Sequence, residues 1–324
     1  MTDKSISTNM EDTTNPTGRW VPGFIALSII WGSSFALIKV AVDAGVTPLW
    51  VALWRCLFGA MALGAIALVG RHRLPRSGIV WAHAAVIAVL LNAAPFALFS
   101  YGEQHVSSLL AGVWNATTPL TTLVFVLLLI PTERPTGRRI AGLAFGFVGV
   151  LFVLGIWEGI TGGTMLGSLA CLGATTCYGA GFAYTRRYFT GTGESAVSLT
   201  TAQILCATVE LAVVIPFFDG GPTWPGVPAG LALVALGAIG TGVAYILNFT
   251  TIRLAGASVA STVTYVTPLW STLIGVLLLS EHLGWNTIVG AAFVIVGIML
   301  TRRSSATKRL VGANAAPDDA RTES

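Results

Sequence analysis

The sequence predicts an all-α integral membrane protein, with ten transmembrane helices arranged as two inverted five-helix repeats. Three observations predict it. Hydrophobic residues make up 54% of the chain and charged residues 10%, with a mean hydropathy of +0.77. A soluble domain is about a quarter charged, so this chain cannot clothe a water-facing surface. The apolar residues come in blocks of roughly 20, the length at which a helix crosses about 30 Å of hydrocarbon. Finally, one motif occurs twice. Thr118-Pro119-Leu120, a Leu run, Glu133, Gly142 and Gly149 are answered by Thr267-Pro268-Leu269, a Leu run, Glu281, Gly290 and Gly297. A transmembrane β-barrel would instead show alternating segments of about ten residues; these blocks are continuously apolar and rich in Ala, Leu and Gly.

The spans follow in order. The first, 20–41, carries IIWGSSFALIKV at 29–40, and the second, 48–69, carries Arg55. The third, 79–101, holds Asn92 and Phe96 and ends at Gly102-Glu103-Gln104-His105, the sole interruption before the fourth, 107–130. That fourth span holds Trp114, Asn115 and Pro119, and the fifth, 138–157, opens after a basic loop with Gly142-x-x-x-Gly146. The sixth, 163–184, runs into CYGAGFAYTRR at 177–187, and the seventh, 196–217, holds Gln203 and Glu210. The eighth, 228–251, has Gly237, Gly240, Gly242, Tyr245 and Asn248; the ninth, 257–279, has Tyr265 and Pro268; the tenth is 284–301. The domains are therefore a 1–19 tail, repeats over 20–157 and 163–301, and a polar, disordered 302–324 tail.

Charge orients the chain. Of 18 basic residues, Lys39 sits near an outer end and Arg55 within a span; the other 16 fall in loops and tails that share one side if the N-terminus is inside. The opposite connections carry Asp43, Glu103, Glu158, Asp219 and Glu281. This positive-inside bias places both termini in the cytoplasm and accounts for the basic loops without nucleic acid. The N-terminal tail lacks the short apolar core of a signal peptide and reads as retained. Five is odd, so the second repeat enters the membrane in the opposite sense, the inverted-repeat arrangement of many transporters.

IIWGSSFALIKV opening one half, with Thr-Pro-Leu, Glu, Gly and Gly closing both, resembles the EamA-type permeases of the drug/metabolite transporter superfamily. The likeness spans roughly residues 20–301. The second half departs from it, with Tyr178-Gly179 where the first has Trp31-Gly32. The resemblance implies a permease of the plasma (inner) membrane, commonly an exporter of amino acids or other small metabolites.

Polar side chains within spans are expensive in lipid and face protein or a water-filled cavity. Arg55 is the strongest such signal. It reads as a carboxylate anchor in the pathway or as a shallow residue paired with Asp43 or Glu210; its repeat-mate is Gln203. Glu210 reads as a proton-coupling carboxylate or as a structural partner of Arg55. Trp31, Ser34, Asn92, Phe96, Trp114, Asn115, Tyr178, Tyr245, Asn248 and Tyr265 complete the pathway candidates. The aligned halves pair Trp31 with Tyr178, Phe96 with Tyr245 and Asn115 with Thr264. Rings and amides converging near the midplane suit an amphipathic organic solute, and core packing is the alternative. Pro119 and Pro268 are candidate hinges.

No HExxH, GxSxG or Walker loop occurs, and the four histidines are scattered. Neither enzyme, cofactor nor metal is therefore expected. The four cysteines form no CxxC pair and read as packing residues. The expectation is a secondary transporter working by alternating access on a small amphipathic or zwitterionic solute. Drug efflux or metabolite uptake on the same fold, an intramembrane enzyme and a membrane scaffold are the alternatives. Proton coupling is open, as is the choice between monomer and homodimer.

Overall fold

The structure, a computed structural model, describes residues 19–106, 111, 114–132, 136–153, 156–158, 164–222, 224–270 and 285–301. The expected tails, Glu133, Glu281 and the second half of span nine lie outside these residues.

The described residues are helical and contain no strand. In chain order the helices are α1 (Val21–Asp43), α2 (Pro48–Val69), α3 (Gly78–His105), α4 (Thr118–Leu129), α5 (Gly137–Val153), α6 (Met165–Tyr184), α7 (Ala196–Phe218), α8 (Gly226–Ala255), α9 (Ala257–Ala260) and α10 (Trp285–Thr301). A further helical run covers 263–270. Five of them, α1, α2, α3, α7 and α8, are long and apolar enough to cross a membrane; α4 and the 288–301 part of α10 are shorter apolar helices. This is a multi-pass membrane protein.

Proline marks helix starts: Pro48 follows extended Thr47 and occupies the first turn of α2, where its missing N–H is no loss. Pro119 sits likewise in the first turn of α4, after a turn at 116–117. The chain turns at 116–117, so Pro119 stands just after a break in the helical path and not inside a longer helix. Pro268 instead lies inside the run over 263–270.

The boundary at Gly102-Glu103-Gln104-His105 also needs correction. α3 continues through all four residues, and Glu103 is a buried helical residue, not part of an outer connection. Gly102 permits this by close approach: a Cβ there would stand 2.5 Å from Cys171 Sγ on α6.

Sequence gives no sign of the turns that distinguish α3 and α8. Each contains a π turn, at Val89–Ala93 and Ala238–Val243, in the same register that pairs Phe96 with Tyr245. A π turn takes one extra residue per hydrogen bond, as in Ala94 N–H to Val89 O and Ala244 N–H to Ile239 O. It frees carbonyls for side chains, which in a membrane must come from neighbouring helices.

The fifth helices of the two repeats pack glycine to glycine. A Cβ on Gly142 would lie 2.7 Å from Gly297 O, one on Gly149 2.8 Å from Gly290 O, and one on Gly297 2.5 Å from Gly146 N. Any side chain here would force α5 and α10 apart, so the small residues set the helix separation.

Candidate substrate site

The two π turns hold the polar centre. Arg55 of α2 donates from Nε to Thr241 Oγ1 at 2.9 Å, in the π turn of α8, and from Nη2 to Gly240 O at 3.4 Å. Thr241 Oγ1 in turn donates to Leu236 O at 3.3 Å. Gly237 allows this contact, since a Cβ there would sit 2.8 Å from Arg55 O. The opposite half repeats the pattern with different chemistry. Gln203 of α7, the counterpart of Arg55, donates from Nε2 to Asn92 Oδ1 at 2.7 Å in the π turn of α3. Asn92 is the counterpart of Thr241. In each case the second helix of one repeat grips the third helix of the other.

Freed carbonyls of these turns anchor rings. Trp31 Nε1 donates to Gly240 O at 3.1 Å, and Tyr245 OH donates to Leu91 O. Trp31 and Tyr245 meet edge on at 5.9 Å, and Tyr245 meets its own repeat-mate Phe96 at 6.4 Å and 78°. The Arg55 guanidinium lies 3.9 Å from the Phe96 ring centroid, a cation–π stack.

Around this centre is a cavity, with about 680 Å³ of empty space when its open mouth is included. Its wall brings together Trp31, Ser34, Arg55, Phe96, Asn115, Tyr178, Tyr245 and Asn248, eight of the residues singled out from sequence, with all three aligned pairs represented. Arg55 is 7% exposed, and among the described residues no carboxylate lies within 4.0 Å of it. Asp43 pairs with Lys39 instead, at 2.6 Å, so the expected Arg55–Asp43 pair is not formed.

Five candidates lie outside the wall. Asn92 and Gln203 are occupied with each other, behind it. Tyr265 is fully buried, with its hydroxyl on Leu143 O at 2.9 Å and its ring over Gly146 of α5. Trp114 packs with Phe99, Val106 and Cys171. Glu210 is half-buried on α7, one oxygen without a hydrogen-bond partner, and forms no ion pair with Arg55.

Sequence reasoning missed Ile38, Leu91, Phe99, Phe182 and Thr267 in the wall. Helical spacing carried the signal for most of them. Ile38 is four residues from Ser34, Phe99 three from Phe96 and Phe182 four from Tyr178, which are same-face positions.

The family model for EamA-like transporters matches residues 18–155 and 165–303, and the chain belongs to that family. The two matches are the two repeats. It is similar to the uncharacterized transporter YoaV of Bacillus subtilis, 24% identical over 281 residues, covering 86% of this chain and 94% of YoaV. The uncharacterized inner membrane transporter YedA of Escherichia coli is 28% identical, covering 85% and 86%. A Chlamydia trachomatis protein named an S-adenosylmethionine/S-adenosylhomocysteine transporter is 28% identical, covering 84% and 86%. One solved crystal structure superposes with a TM-score of 0.73 at 20% identity, covering 90% of this chain and 98% of that one, which shows the fold.

Proposed function

We propose that this chain is a secondary transporter of a small amphipathic or zwitterionic metabolite bearing a carboxylate, such as an amino acid, and that it exports this solute by alternating access. Arg55 carries the reading. A buried guanidinium without a counter-charge costs free energy, and this one is held on a hydroxyl, a carbonyl and a ring face in the wall of a cavity. A carboxylate entering the cavity would supply the missing charge, and a guanidinium meets it with two hydrogen bonds. Trp31, Phe96, Tyr178 and Tyr245 offer the apolar remainder of the solute stacking area, while Ser34, Asn115 and Asn248 offer hydrogen bonds. The relative from Chlamydia trachomatis favours this class, since both solutes in its name carry an amino-acid head and an aromatic base.

In this reading ten helices form two inverted repeats in the inner membrane, with both termini cytoplasmic. The cavity lies between the first four helices of each half. Motion about the breaks before Pro119 and near Pro268 would expose it alternately. The test is expression in a host lacking its own exporters, with a metabolite panel measured inside and outside. A carboxylate-bearing solute should accumulate outside with the wild type and not with R55A. If no solute moves in cells or proteoliposomes, the transporter reading of this chain fails.

A further inference from the structure

Glu103 is the buried acid that neither the sequence motifs nor the cavity chemistry above uses. It is 8% exposed, and both carboxyl oxygens are buried without a hydrogen-bond partner among the described residues. It lies one helical turn beyond Phe99, a cavity-wall residue, and two turns beyond Phe96, so all three share a face of α3. Helical side chains lean back toward the N-terminus, which tips Glu103 toward Phe99. Beside it, α3 and α6 approach closely at Gly102 and Cys171.

The titratable and charged groups near enough to act on it are Cys171 and Tyr178 on α6, Arg55 on α2 and Lys39 on α1. Tyr101 and His105 lie on its own helix, and His105 Nδ1 is engaged with Tyr101 O. No cation is within ion-pair distance of Glu103 among the described residues, and Lys39 is committed to Asp43. An anion in this position would be dry and uncompensated, at a heavy cost. A carboxylic acid sits there without net charge.

We infer that Glu103 is the proton-carrying group of the transport cycle, holding a proton in the conformation described and releasing it when rearrangement admits water. On release the O–H bond breaks, the proton passes to water, and a hydrated carboxylate remains; uptake is the reverse, with no change of oxidation state. Because Glu103 adjoins the wall that holds Arg55, the same rearrangement that moves solute would open the acid. The coupling role rests on the transporter reading; the proton site does not.

Two measurements on the full-length protein in liposomes separate these. The first is infrared difference spectroscopy across a pH titration in H₂O and D₂O, with the proton or deuteron as the probe. The C=O band of a protonated carboxyl should appear in the wild type and in E210Q and vanish in E103Q. A band that survives E103Q, or vanishes in E210Q, overturns the assignment. E103D covers the case in which E103Q does not fold: its band should shift in frequency, and an unshifted band again overturns it. The second uses the solute found by the export panel under an imposed pH gradient. Wild type should accumulate that solute several-fold, and E103Q should stop at equality, whatever its exchange rate. Gradient-driven accumulation in E103Q sinks the coupling role. A wild type that moves nothing sinks the transporter reading, leaving the infrared result to decide the proton site.

Discussion

Gln203 donates to Asn92 across 2.7 Å, and its partner residue belongs to the other repeat. Arg55 and Thr241 make the counterpart contact at 2.9 Å, again between repeats. The two contacts occupy equivalent positions but differ in what they leave over. The amide pair is neutral and leaves only the Asn92 Nδ2 donor over among the described residues, whereas Arg55 retains an unspent charge facing the cavity. In the proposed reading, one geometry thus serves as a brace on one side and as a binding group on the other.

The brace should behave as a buried polar pair. Q203L strands the Asn92 oxygen and should cost about 1–3 kcal/mol. The double variant Q203L/N92L removes both partners and should recover part of that loss. Thermal unfolding in detergent with a double-mutant cycle checks it; additive losses would mean the two residues do not interact.

Arg55 should govern affinity more than folding. R55K keeps the charge but loses the fork and the flat face over Phe96. We expect solute affinity to weaken about tenfold, which is about 1.4 kcal/mol, and R55A to weaken it further. Carboxyl-amidated analogues should lose the distinction among the three. Equal binding of acid and amide by the wild type would count against a carboxylate anchor.

Glycines should divide by what stands opposite them. G149L places a side chain where even a Cβ would be 2.7 Å from Val294 N, so α5 and α10 must separate and folded yield should collapse. G64A adds a methyl in open space on helical α2 and should stabilise by about 0.5–1 kcal/mol. Size-exclusion yield and melting temperature give both outcomes.

Proline tests the hinge. Pro119 sits in the first turn of α4, so P119A should leave thermal stability within about 0.5 kcal/mol of wild type. Turnover should nonetheless slow in P119A and P268A, if the halves rock about these breaks. Unchanged transport rates in both variants would remove the hinge.

Much of this was legible in the chain. Apolar blocks and the doubled motif gave the helical membrane class, and the aligned pairs Trp31–Tyr178, Phe96–Tyr245 and Asn115–Thr264 do meet at one cavity. Composition could not reveal the π turns, because an i→i+5 bond has no residue signature of its own, and with them the freed carbonyls of Gly240 and Leu91. Arg55 was visible as a costly cation, but an acidic partner was expected where a threonine, a carbonyl and a phenyl face sufficed. Glu103 was misplaced because Gly-Glu-Gln-His reads as a loop until one sees Gly102 lying against Cys171.

The crossed contacts also constrain inheritance. Neither half can build a finished site alone, because Arg55 needs Thr241 and Gln203 needs Asn92. A drift in one half is therefore judged by a residue more than a hundred positions away in the other.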